Sequence, residues 1–256
     1  MRGLKDKVAI VAGGSPGGIG GATAVRLAEE GMAVVVADLN ESAAQKLAAE
    51  IRANGGEAVG QGFDISNEES YAGLIDFTVR TYGTLDGLYN VAADLSPATM
   101  NADVEVTDVP LDIWHHTIDV TLTGYMLGIR HALPVMLRQG SGSIVNTMSS
   151  SVWVAPPTKV SYQAAKSGLV GLTRHTASLG GKRGVRCNLI SPGLTLTTSA
   201  MATTTEELRT QGLSAARSPR LGKPEDIAAM VAFLFSGDAE FINGQSFLID
   251  GGAHLT

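Results

Sequence analysis

A glycine-rich turn set between a strand and a helix, inside a regular alternation of the two, constrains this chain more than any other feature. The apolar run Val8-Ala-Ile-Val-Ala12 leads at once into Gly13-Gly-Ser-Pro-Gly-Gly-Ile-Gly20, and a helix-compatible stretch follows over residues 19–30. Further apolar runs at residues 33–37, 58–63, 87–92, 143–148 and 184–190 read as strands, with helical segments at 41–54, 68–82, 111–137 and 162–179. In the second helix Ala44, Leu47, Ala48 and Ile51 fall on one face, the mark of a half-buried helix. Strands alternating with helices at this interval specify βαβ units, and right-handed crossovers turn those into a doubly wound parallel sheet. No linker, repeat or second core interrupts residues 1–256, so one α/β domain is expected.

The glycine turn has a chemical reading. Glycines let the backbone turn sharply and approach a pyrophosphate, which the free N–H groups of the following helix then hold. A glycine cluster alone is weak evidence. Here an acidic residue, Asp38, ends the next strand, where a carboxylate accepts hydrogen bonds from ribose hydroxyls and repels a 2′-phosphate. No Arg or Lys lies between Asp38 and Gln45, so NAD is expected over NADP. The plainer alternative for Asp38 is a solvated turn carboxylate.

A second constellation follows the 143–148 strand. Ser149 stands at its carboxyl end, the edge where open α/β sheets bind ligands. Tyr162 and Lys166 are four apart on a helix and so share a face. A phenol with a pKa near ~10 is a poor base at neutral pH, and a nearby cation favours its ionised form. Tyr-x-x-x-Lys by itself occurs in many helices; its weight comes from the rest of the chain.

Composition excludes several classes. Hydrophobic residues make up 44% and charged ones 17%, which suits a buried core rather than disorder. A net charge of −6 gives no basic footprint for nucleic acid. Cys187 is the single cysteine, which rules out an internal disulfide framework. With no apolar signal segment and no bilayer-length apolar run, a cytoplasmic protein without membrane contact is expected. His115, His116, His131 and His175 lack converging metal-ligand spacing, so packing or surface roles are expected and no metal.

Taken together these residues resemble the short-chain dehydrogenase/reductase family, over essentially the whole chain. Gly14-Ser-Pro-Gly-Gly-Ile-Gly20 is similar to its Gly-x-x-x-Gly-x-Gly cofactor loop, which assigns Gly14, Gly18, Ile19 and Gly20 to the dinucleotide. Asp64 and Ile65 fall where the family binds adenine, and Asn90 begins a segment resembling its Asn-Asn-Ala-Gly. Ser149, thirteen residues before Tyr162, and Lys166 match its catalytic Ser and Tyr-x-x-x-Lys. Pro192, Gly193, Thr195 and Thr197 resemble the stretch that holds the nicotinamide carboxamide. Residues 220–227 and 249–252 resemble its C-terminal signatures.

The resemblance implies a Rossmann-type fold, NAD as cofactor and a small-molecule secondary alcohol or ketone as substrate. It also implies a homotetramer, with interfaces on helices 111–137 and 162–179 where Gly168 and Gly171 would allow close approach. Residues 194–218 correspond to the variable substrate segment; Leu194, Leu196 and Met201, with Trp153 beyond the catalytic Ser, either line an apolar pocket or pack against neighbours. Three departures stand out. The first is at the glycine turn, where Ala12 replaces the family's Thr and an extra residue sits near Pro16; the second is Asn-Asn-Ala-Gly, of which only Asn90 and an Ala remain. Most important for mechanism, Thr121 stands where the family places a catalytic Asn. A Thr hydroxyl still donates and accepts, so Thr121→Asn is expected to raise the turnover number or leave it unchanged; a collapse would refute this. Two other readings remain: an NADPH-dependent 3-oxoacyl-(acyl-carrier-protein) reductase, and a catalytically silent dinucleotide-binding protein.

Overall fold

The computed structural model describes residues 1–255. The strands are β1 (Val8–Ala12), β2 (Ala33–Asp38), β3 (Glu57–Gly62), β4 (Gly87–Asn90), β5 (Gly142–Thr147), β6 (Val185–Pro192) and β7 (Ser246–Ile249). The helices are α1 (Ile19–Glu29), α2 (Glu41–Ala53), α3 (Glu68–Tyr82), α4 (Pro97–Ala102), α5 (Leu111–Ile118), α6 (Gly124–Gln139), α7 (Ser151–Val154), α8 (Val160–Gly180), α9 (Thr198–Thr203), α10 (Glu206–Ala215) and α11 (Pro224–Phe235). All strand pairs are parallel, in the order β3-β2-β1-β4-β5-β6-β7.

Alternation along the strands builds a core on each face of the sheet. Ile10, Ala12, Val35 and Ala37 point into one core with residues of α3, α6 and α8. Their neighbours Ala9, Val11, Val34 and Val36 point into the other, against α1, α2 and α11. Central strands buried on both faces therefore read as continuous apolar runs. Each such Val or Ile contributes about 1.5–3 kcal/mol by leaving water. The expected doubly wound α/β sheet is the fold observed.

Two elements differ from expectation. β7 was not read as a strand; it is a half-exposed edge strand of four residues, too short to show a pattern. The helix expected over residues 111–137 is interrupted by a π turn at Asp119–Thr123, where Gly124 N–H donates to the Asp119 carbonyl. Such turns widen a helix locally and often mark functional positions. This one contains Thr121.

The strand order reverses between β1 and β4, so the connections leaving these neighbours diverge and open a crevice at their carboxyl ends. β5 and β6 end on the same edge, which brings the segments after all four strands together.

Candidate active site

The glycine turn is pinned by its backbone. Gly13 and Gly14 N–H both donate to the Ala37 carbonyl, at 2.8 and 3.0 Å, while Val91 and Ala92 N–H donate to Ala12. The side chain that Ala12 lacks is thus not needed to tie β1 to β2 and β4. Gly13 has φ +108°, and a Cβ there would lie 2.6 Å from Ala92 N; a Cβ on Gly20 would run into the Gly13 carbonyl. Only glycines let the turn, α1 and the β4 loop pack this closely. The N-cap of α1, Gly18, provides no side-chain cap, so the first N–H groups of the helix stay free for an anion.

A cleft of about 540 Å³ opens over this turn. Of the expected cofactor residues Gly18, Ile19, Gly20, Asp38, Asp64, Ile65 and Thr197 line it, joined by Gly13, Ser15, Leu39 and residues 91–96. Gly14 does not; its missing Cβ faces Val36 on β2, and Gly13 takes its place at the cleft. The side chain of Asn90, another residue expected at the dinucleotide, is wholly buried, accepting from the Tyr71 hydroxyl and donating to Asn146 Oδ1 at 2.9 Å. Asn146 in turn donates to Thr173 at 3.0 Å, so the Asn90 side chain fastens β4 to β5 and α8. Pro192, Gly193 and Thr195 lie behind the lining: Gly193 packs on Asp250, and Thr195 donates to the Gly193 carbonyl at 3.0 Å.

Asp38 sits on the rim, its Oδ2 accepting from Ser15 at 2.6 Å and its Oδ1 from Asn40 N–H at 3.0 Å. Both contacts hold the carboxylate in place. The extra loop residue shows up one step further on: Gly17, at φ +72°, accepts from Thr198 N–H at 2.9 Å. A Cβ on Gly17 would collide with the Thr198 hydroxyl, so α9 rests directly on the glycine turn.

Ser149 follows β5, and Tyr162 and Lys166 project from the first turns of α8. Lys166 is 1% exposed. Its Nζ donates to the Thr147 carbonyl at 2.7 Å and to the Tyr125 hydroxyl at 3.4 Å. It also stands 5.6 Å from the Tyr162 ring centre and 5.1 Å from that of Tyr125, a cation enclosed by two aromatic faces. Burial pulls the ammonium down to about 7. Burial also raises the Tyr162 phenol, while hydrogen bonding by Ser149 draws it back. The sequence points to Lys166 as the main influence on the phenol; in the free protein burial is the larger one.

Tyr125 escaped the sequence reading, although it lies four residues beyond Thr121 on the same helix face. Its hydroxyl takes a hydrogen bond from Lys166 and donates to the Ala92 carbonyl at 3.1 Å, linking the amine to the cleft wall. Thr121 itself is buried in the π turn. His116, expected in a surface or packing role, lines the cleft and pairs with Asp94 at 2.9 Å. Trp153 and Met201 are both about half-exposed, so neither is absorbed by packing. Among the described residues no group of three or more His, Cys, Asp or Glu could hold a metal ion.

The catalytic helix is capped from outside. Lys159 occupies its N-cap with φ +66° and offers no side-chain cap. The buried carboxylate of Asp103 supplies it, accepting from Ser161 and Tyr162 N–H at 2.9 Å each. The Asp103 carbonyl accepts from Lys159 N–H at 2.7 Å as well. Asp103→Ala should cost about 2 kcal/mol in urea unfolding and lower turnover several-fold, since the turn bearing Tyr162 is released. An unchanged turnover number would show that the cap does not position Tyr162.

A parallel doubly wound sheet, a glycine turn over an uncapped helix N-terminus and a Tyr–Lys pair on the same edge define a dinucleotide-dependent oxidoreductase. The family model described as Enoyl-(Acyl carrier protein) reductase matches residues 14–254. The chain is 35% identical over 252 residues to the 7alpha-hydroxysteroid dehydrogenase of Bacteroides fragilis, covering 98% of this chain and 96% of that protein. It is also 35% identical to the cyclohexanol dehydrogenase of an Acinetobacter species, covering 97% and 95% respectively. A solved 7 alpha-hydroxysteroid dehydrogenase complexed with NADH and 7-oxo glycochenodeoxycholic acid superposes with a TM-score of 0.90 at 30% identity, covering 98% of this chain and 95% of that one. The chain belongs to the short-chain dehydrogenase/reductase family. It is accordingly an alcohol dehydrogenase/ketone reductase that uses a nicotinamide dinucleotide. The residues present fit that cofactor: the turn leaves no room for side chains, the helix end offers free donors and the rim carries a fixed carboxylate.

Proposed function

We propose that this protein is an NAD-dependent dehydrogenase that interconverts an apolar secondary alcohol, carried on a ring, with its ketone. The observation that carries the reading is the grouping of Ser149, Tyr162 and Lys166, which Tyr125 links through the Ala92 carbonyl to the wall of a cleft whose rim holds the engaged carboxylate of Asp38. A nicotinamide dinucleotide held over the glycine turn would supply or accept the hydride. Tyr162 takes the proton of the substrate hydroxyl in oxidation and returns it in reduction; Ser149 donates to the same oxygen and holds it beside the phenol. Lys166, braced by Thr147 and Tyr125, keeps positive charge next to Tyr162.

Asp38 supports NAD over NADP, because a phosphate placed against it meets like charge. The segment 194–218 acts as the substrate lid: α9 and α10 are tied together by Arg209, which donates to the Met201 and Thr204 carbonyls at 2.6 and 2.8 Å. Leu95, Trp153, Val154 and Met201 are each roughly half-exposed on the segments bordering the site, and support an apolar substrate. Two of the similar proteins are named for ring alcohols, a hydroxysteroid and cyclohexanol.

Fluorescence titration should show NADH binding about 100-fold more tightly than NADPH, with Asp38→Ala removing most of the difference. Equal affinities in the native protein would overturn the cofactor preference and favour the acyl-carrier-linked reductase. A panel of cyclic and open-chain secondary alcohols with NAD, followed at 340 nm, tests the substrate class. A homotetramer with interfaces on α5, α6 and α8 is part of the proposal; on α8 Gly171 and Leu179 face outward, whereas Gly168 is taken up by Leu122 of its own chain. No helix among the described residues is long and apolar enough to cross a membrane, and a cytoplasmic setting suits the lone buried thiol of Cys187.

A further inference from the structure

The reading of Ser149 as a donor to the reacting oxygen leaves open what points its proton that way. A serine hydroxyl donates once and accepts twice, and its hydrogen rotates to suit its neighbours. Ser149 can serve the substrate only if other donors fill its acceptor positions. Its Oγ accepts from Ser151 N–H at 3.2 Å and lies 2.9 Å from the Ser151 Oγ. Between two hydroxyls the distance does not fix the direction.

Gln163 fixes it. Its Nε2 donates to the Ser151 Oγ at 3.1 Å, and an amide nitrogen has no lone pair to accept with. That contact fills one of the two acceptor positions on Ser151 and so favours its proton lying toward Ser149. With N–H and O–H of Ser151 both directed at its oxygen, the Ser149 proton is free to face outward. We propose that Gln163 and Ser151 form a one-way hydrogen-bond chain that holds Ser149 as a donor toward Tyr162 and the reacting oxygen. Both are positioning residues, acting through Ser149. Gln163 adjoins Tyr162 on α8, so the helix that carries the acid–base group also aims its partner.

The proposal rests on the donor role of Ser149, and the test separates the two. Ser149→Ala checks that role: native turnover in this variant would remove it, and the chain with it. Gln163→Leu deletes the last donor and should lower turnover roughly threefold. Gln163→Glu replaces it with an acceptor, drawing the Ser151 proton away and turning Ser149 toward Ser151. Its turnover should fall roughly tenfold or more, with NADH affinity and melting temperature close to native. In a Ser151→Ala background the Gln163→Glu penalty should vanish, because the link that transmits it is gone. If Gln163→Glu costs no more than Gln163→Leu, or costs as much without Ser151 as with it, the chain is overturned while an inactive Ser149→Ala leaves the donor role standing.

Discussion

Tyr162→Phe should bind NADH, melt near the native temperature and turn over at least about 100-fold more slowly, the ordinary contribution of a general acid–base group. The ring is retained, so its stacking against the Lys166 ammonium survives and only the hydroxyl is lost. Stopped-flow hydride transfer with a responsive alcohol, read beside NADH titration, separates chemistry from binding. In the free protein burial raises the phenol and Ser149 draws it back, so a change at either partner reaches the reacting oxygen. Near-native turnover in the Phe variant would remove Tyr162 from the chemistry and with it the function proposed above.

Lys166→Met carries the second large effect and has two opposite signatures. Turnover should fall by about 100-fold or more, since the cation beside Tyr162 disappears. Stability should respond to pH in the other sense. Burial holds the Lys166 ammonium at about 7 against an ordinary value of 10.5. Between those values the unfolded chain binds more protons at this position than the folded one, so the native protein gains stability as pH rises through the window. Below about pH 7 the folded protein carries the whole cost of a buried charge. Met has no charge to bury, so the stability difference between native and Lys166→Met, measured by urea unfolding, should shift in favour of native from pH 7 to pH 10. A difference independent of pH would mean that the amine is not desolvated as the structure has it.

What the sequence disclosed was local. The strands β1 to β6 and the long helices follow from runs and periodicities within a few residues, and the Tyr162–Lys166 pair needs only one helical turn. Contacts that join distant segments left no such trace. Asp103 reaches the start of α8 from the α4–α5 connection, 58 residues before Ser161, and no spacing rule announces a cap supplied from so far away. The side chain of Asn90 is a complementary case. Its place beside the cleft was legible, but which way its side chain turned depended on Tyr71 and Asn146 meeting it from other elements. Which of Gly13 and Gly14 borders the cleft was equally hidden, since it depends on Val36 of β2 lying against Gly14. Thr121 was legible as a residue; the π turn that carries it was not, because its registry depends on the whole helix.

The seat of Thr198 on Gly17 welds the substrate segment to the coenzyme turn. A side chain at residue 17 would lift α9 from that turn, so one missing methyl sets how near the roof lies to the floor.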